Sequence, residues 1–156
     1  MNEALIQPAV DNLSIEKVDL LTARVDCDEV FSFSKPKPNC NVKVGRGLVS
    51  FSVLEPGEGE EGNPKYVAYV YQCGLKFEPK EVDAEASDSD CTTLLIEARF
   101  SAIYVMKDDV NEDSLREFGR FNVPYHVWPY WREYAQSTLS RMGVEPVPIP
   151  VYRLRK

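Results

Sequence analysis

From Val67 to Phe77 every second residue is apolar: Val67, Tyr69, Tyr71, Cys73, Leu75 and Phe77 alternate with Ala68, Gln72, Gly74 and Lys76. Successive side chains of a strand point to opposite faces, so this period of two predicts a half-buried β-strand over residues 65–77. The same period runs through residues 92–106, where Leu94, Ile96, Ala98, Phe100, Ala102, Tyr104 and Met106 share one side. Residues 13–27 alternate at Leu13 and Ile15 and again at Leu21, Ala23, Val25 and Cys27. The change of phase between Leu20 and Leu21 predicts a bulge, or a strand buried on both faces. In residues 41–54, Val42 and Val44 fall on one face and Val49, Phe51 and Val53 on the other, with Gly45 and Gly47 at the change.

The connections separate these four strands. Glu55 to Pro64 is acidic and rich in turn residues, and Glu78 to Asp90 is acidic too. Both suit exposed hairpin links of an antiparallel sheet. The first link is different: residues 29–39 form a long crossover loop that carries Val30, Phe31 and Phe33 ahead of Lys35-Pro36-Lys37-Pro38. A loop with three large apolar residues must fold down onto the core or present them to a partner. Helices follow. Asn111-Glu112-Asp113-Ser114 offers a cap and first-turn acids for a short helix through Leu115 and Phe118. A main helix is expected over about residues 127–142, with Pro129 in its first turn and Gly143 as its terminator. Trp128, Trp131, Ala135, Leu139 and Met142 fall on one stripe of it. Pro146, Pro148 and Pro150 make residues 143–156 an extended tail, carrying Val147 and Ile149. The expected class is α+β: one domain over residues 1–156, with a four-stranded antiparallel sheet and the C-terminal main helix packed on one face.

Charge and chemistry exclude several functions. The net charge of −7, from 18 Lys and Arg against 25 Asp and Glu, repels a phosphate backbone, so no nucleic-acid partner is expected. No apolar run approaches the ~18 residues a membrane helix needs, and Met1 to Pro8 lacks a signal pattern. No membrane insertion and a cytoplasmic location are therefore expected. Cys27, Cys40, Cys73 and Cys91 are scattered singly, without the paired spacing of a zinc site. His126 is the single histidine, Gly45-Arg46-Gly47 lacks the further glycines of a phosphate loop, and no nucleophile has an evident base. No enzyme, no metal and no cofactor is expected. What remains is an excess of aromatic residues at Phe31 and Phe33 and from Tyr125 to Tyr134.

Residues 122–142 read Asn-Val-Pro-Tyr-His-Val-Trp-Pro-Tyr-Trp-Arg-Glu-Tyr-Ala-Gln-Ser-Thr-Leu-Ser-Arg-Met. This resembles the main helix of the SecB protein-export chaperones, with their (Phe/Trp)-Pro-Tyr-x-Arg-Glu pattern, a following Ser-Arg and a proline-containing loop. The matching residues are Trp128, Pro129, Tyr130, Arg132, Glu133, Ser140 and Arg141, with Pro146 and Pro150 beyond. Four strands, an apolar crossover loop after the first, and then the helix agree with that family's organisation.

The resemblance implies a chaperone that works without nucleotide and holds unfolded clients in long apolar grooves. Carried onto this chain, the client-binding candidates are Val30, Phe31 and Phe33 in the crossover loop, Trp128 and Trp131 on the helix, and Val147 and Ile149 in the tail. It also implies a homo-oligomer, a dimer of dimers, with Ala135, Leu139 and Met142 at the interface. Two departures bear on partners. Where the family carries Lys-Asp-x-Ser-Phe-Glu for docking the export motor SecA, this chain has Leu21-Thr22-Ala23-Arg24-Val25-Asp26, and it ends in basic residues rather than an acidic tail. Those departures weigh against SecA and raise a dedicated antitoxin chaperone of a toxin–antitoxin–chaperone system beside general preprotein export. From another class, a non-chaperone adaptor or structural module, using the helix stripe only to oligomerise, would prefer folded partners.

Overall fold

A computed structural model describes residues 2–27, 40–57, 62–79, 94–145 and 147–153. Four strands, β1 (Leu13–Cys27), β2 (Cys40–Leu54), β3 (Lys65–Pro79) and β4 (Leu94–Met106), follow an N-terminal helix α1 (Glu3–Asn12) and precede α2 (Glu112–Phe121) and α3 (Val123–Arg141). The strands form one antiparallel sheet in the order β1-β4-β3-β2. β1 and β2 are thus the two edges, and residues 28–39, outside the described residues, join them.

The expected alternation of β3 and β4 is seen in their burial. Val67, Tyr69, Leu75 and Phe77 on β3, and Leu94, Ile96 and Tyr104 on β4, are closed off from solvent on the helix-side face. The aromatic rings at the centre interlock: Tyr104 lies edge-on to both Tyr69 and Phe118, at ring separations of 5.6 and 5.1 Å. The opposite face is polar at its edges, with Lys17 bonded to Asp19 at 2.6 Å and Arg24 to Asp26 at 2.5 Å. Glu78 is held by Lys43 and Lys76 on that face, and their charge-assisted hydrogen bonds draw its carboxyl down to about 2.

Both changes of phase resolve as bulges. In β1 the register slips between Leu20 and Thr22, as the sequence suggests, and again between Ile15 and Lys17. β1 is an exposed edge strand rather than one buried on both faces. In β2 the slip lies between Leu48 and Ser50, not at the glycines. This corrects the expected division of its apolar residues. Val42 pairs with Phe77 and Val44 with Leu75 before the bulge, while Phe51 pairs with Tyr69 and Val53 with Val67 after it. Directly opposed residues share a face, so all four lie on the helix side.

The helices depart from expectation at their starts. α1 was not foreseen. It holds Pro8 in its interior, yet Asn2 caps it by accepting from the Leu5 amide, and Ile6 and Ala9 are buried. The Asn2 amide also donates to Glu117 at 2.8 Å, tying α1 to α2. α2 begins as expected, with Asn111 Oδ1 accepting from the Ser114 amide at 2.9 Å. α3 starts at Val123 rather than near Val127, using Pro124 in its first turn and carrying Pro129 in its interior. It ends as predicted. Gly143 adopts φ 70°, and the Val144 amide donates to the Leu139 carbonyl at 2.9 Å, a closure that a residue with a Cβ enters only with strain.

His126 joins α3 to the sheet, its Nδ1 lying 2.8 Å from the Tyr104 hydroxyl. Burial holds its pKa below the ordinary 6.5. The unfolded chain therefore takes up a proton first as pH falls, so this contribution to stability is complete above about pH 6.5 and declines through the folded-state pKa. The urea midpoint should fall from pH 7.5 to pH 5, and His126→Asn should flatten the decline. Identical slopes in the two proteins would remove His126 from the account.

Candidate functional site

The four strands bury their central residues beneath α3, but the two edge strands extend beyond that cover. On β1 the helix-side row of Ile15, Val18, Leu20, Ala23 and Val25 is largely open, Leu20 to 48%. On β2 Val42, Val44 and Val53 are exposed on the same side, and Val49, at the bulge, is exposed to 48%. Both strands have a single neighbour among the described residues, so each also presents an unpaired row of backbone donors and acceptors.

The β2 edge is hollowed beneath α2. α2 lies over it and leaves an open cleft of about 580 Å³, with Leu48, Phe51 and Val53 on one side and Val110 and Leu115 on the other. Gly119 sets the separation. A Cβ there would sit 2.8 Å from Tyr69 Cε1 and 2.9 Å from Leu48 Cδ2. The charged groups on the cleft wall are Glu112, Arg116 and Arg120. Arg116 bonds Glu112 at 2.5 Å, and its guanidinium lies 5.6 Å from the Phe51 ring centre.

Further along β2, Arg46 closes the row. Its guanidinium lies 5.1 Å from the Trp128 ring centre and 4.3 Å from that of Tyr152. The tail is pinned at the same place: Trp128 Nε1 donates to the Pro150 carbonyl at 2.7 Å, and Ile149 is buried. Cys73 lies on the core row behind Arg46, and burial pushes its thiol up to about 12, so it is inert at neutral pH. Among the described residues no group of three or more His, Cys, Asp or Glu is placed to hold a metal ion, and no helix is long and apolar enough to cross a membrane.

The residues expected from sequence are placed unevenly. Val30, Phe31 and Phe33 lie outside the described residues. Trp131, Ala135 and Leu139 are on one helix face, as the stripe predicts, but that face packs against the chain's own sheet and is wholly enclosed. In this subunit they are core, open neither to a guest nor to a second copy. The stripe has the right period, and the sheet's need for cover decides what it meets. Trp128 is buried where the tail is pinned, and Ile149 of the tail is buried too, whereas Val147 and Met142 are half-buried at the margin of the core. Arg46, Phe51, Arg116 and Arg120 were not foreseen as site residues. The available signal was Arg46 between two glycines in a strand, which shows its place only once the bulge and the tail are known.

A four-stranded antiparallel sheet whose two middle strands are covered by a long C-terminal helix, with apolar edges left open beside it, defines a protein of SecB-like fold. The chain is similar to Mycobacterium tuberculosis Rv1957, a SecB-like chaperone solved in complex with a ChAD peptide from the Rv1956 HigA1 antitoxin. The TM-score is 0.73 over 98% of this chain and 99% of that one, at 14% sequence identity. A protein of unknown function from Streptococcus agalactiae aligns with a TM-score of 0.39 at 11% identity, over 88% of this chain and 96% of that one. No protein-family model matches the sequence, and no curated protein matches it.

Proposed function

We propose that this protein is a nucleotide-independent holding chaperone, which keeps extended, unfolded segments of other polypeptides in the cleft between β2 and α2. The observation that carries this reading is the open apolar β2 edge beside that cleft. An unpaired edge offers main-chain hydrogen bonds to any extended chain, and the apolar floor adds burial at about 25 cal/mol/Å² without demanding one sequence. The SecB-like fold, shared with a chaperone solved in complex with a peptide, supports it. Val147 and the loop residues Val30, Phe31 and Phe33 are further candidate contacts.

The exposed apolar row of β1 suits a second copy of the chain, because two-fold contacts bring one patch against itself. Assembly into a homo-oligomer in the cytoplasm belongs to this reading. SecA is not placed among the partners, since Arg24 stands in the stretch where the family carries acids.

The test is aggregation of an unfolded protein, followed by light scattering with no nucleotide present. Stoichiometric chaperone should suppress it, and Val49→Asp combined with Val53→Asp, both exposed positions, should weaken client affinity by about tenfold. Unchanged scattering across several clients would overturn the proposal. A more specialised reading is favoured by one observation, the antitoxin peptide bound to Rv1957. A dedicated antitoxin chaperone should prefer one client segment strongly, and equal affinity for unrelated unfolded chains would count against it.

A further inference from the structure

The cleft carries a charge opposite to that of the chain. The whole sequence is acidic at −7, yet the charged groups along the cleft and its Leu48 end are Arg46, Arg116 and Arg120 against Glu112 and Glu97, and Glu97, which pairs with Gly74, lies on the sheet face opposite to Arg46. Glu112 is taken by Arg116. Arg120 on the cleft wall and Arg46 on the strand have no carboxylate partner among the described residues. The direction of α2 places these two free charges at one end. Gly119 meets Leu48 and Arg116 lies over Phe51, so the C-terminal end of α2, with Arg120, lies toward Leu48. Arg46 is two residues from Leu48 and on the same face, about 7 Å along the strand. It is held outside the cleft floor by Trp128 and Tyr152 rather than by an acid. The chain passes from Tyr152 into Arg153, which adds a further exposed cation to the segment anchored there.

We infer that this cleft selects extended segments in which an apolar stretch is flanked by carboxylates, the acidic end lying toward Arg46 and Arg120. The inference rests on the holding role proposed above and names the client chemistry. The apolar floor takes the alternating side chains of the guest, and Arg46 and Arg120, which hold no carboxylate among the described residues, receive its Asp or Glu side chains in paired hydrogen bonds. A guest with basic flanks would set cations against Arg46 and Arg120. The acidic remainder of the surface contributes the opposite bias at long range, which salt screens beyond about 10 Å, so the preference belongs to groups in contact with the guest.

The experiment uses the full chain and three labelled peptides with one common apolar core, flanked by Asp-Glu, Ser-Asn or Lys-Arg pairs, with affinity read by fluorescence anisotropy. The acidic peptide should bind about tenfold more tightly than the basic one at about 0.1 M salt, where the acidic remainder of the surface is screened, with the neutral one between, and the spread should narrow as salt is raised further. Arg46→Gln with Arg120→Gln should bring the three together. Arg46→Lys keeps the charge and weakens the planar stacking, so it should retain the order, and Arg120→Gln alone should narrow the spread. Binding of all three with equal affinity, or tightest binding of the basic peptide, overturns the inference and leaves the holding role standing. Binding of none of the three overturns the holding role at this cleft and the inference with it.

Discussion

Trp131→Ala should lower the stability of the fold by about 3–5 kcal/mol, the usual cost of deleting a buried aromatic side chain. Trp131 is the largest of the fully enclosed side chains, at the middle of the long helix α3 that packs over β3 and β4. No neighbouring side chain can fill the volume of an indole without leaving its own rotamer, so a cavity remains. For a chain of 156 residues the thermal midpoint should fall by roughly 10 °C. Trp131→Phe should cost much less, for two reasons. The ring keeps most of the contact area, and the lost Nε1 is a buried donor without a hydrogen-bond partner, so its removal strands nothing. Urea denaturation of the two variants checks both statements. A Trp131→Ala protein with an unchanged midpoint but impaired client binding would return this residue to the guest-facing surface and refute its place in the core.

Gly119→Ala should destabilise the protein although alanine is the better helix former by about 1 kcal/mol. The added methyl would lie 2.8 Å from Tyr69 Cε1. That ring has no room to swing. It is closed off from solvent, packs against Phe51, Tyr104 and Phe118, and donates its hydroxyl to the Leu115 carbonyl at 3.0 Å, in the same helix. The accommodation must come from α2 lifting off the sheet, at an overpacking cost of about 1–3 kcal/mol that outweighs the propensity gain. Because α2 is one wall of the cleft, client affinity should change in the same variant, whereas Ser140→Ala, an exposed change on the far end of α3, should alter neither. A more stable Gly119→Ala protein would mean that the helix is free to move and does not set the width of the cleft.

The parts of this fold that could be read in advance are those governed by local rules. β3 and β4 were legible because both sit in the middle of the sheet with one face fully covered, so their period of two holds along both strands, broken in β4 at the buried Ser101. Asn111 and Gly143 were legible because caps follow from backbone groups that need partners at helix ends. The start of α3 was misplaced because Pro129 suggested a first-turn position, while the helix instead takes Pro124 there and absorbs Pro129 within a well-packed stretch. α1 escaped because a short segment with an internal proline has weak propensity; burial of Ile6 and Ala9 against the rest of the molecule sustains it. In β2 the two apolar sets were expected on opposite faces, since a bulge at Val49 and a switch of face leave the same sequence pattern.

For this protein the sequence by itself determined the four strands, the helix after them, the amphipathic stripe of α3 and the family whose fold they share, because periodicity and capping are properties of neighbouring residues. Tertiary structure decided the rest. It set Trp131, Ala135 and Leu139 against their own sheet, left β1 and β2 with a single strand neighbour each among the described residues, and put Arg116 and Arg120 on the wall of one cleft with Arg46 beyond its Leu48 end. The physical reason is that a pattern records that a side chain is apolar or charged, whereas its role depends on which surface the long-range packing brings to meet it.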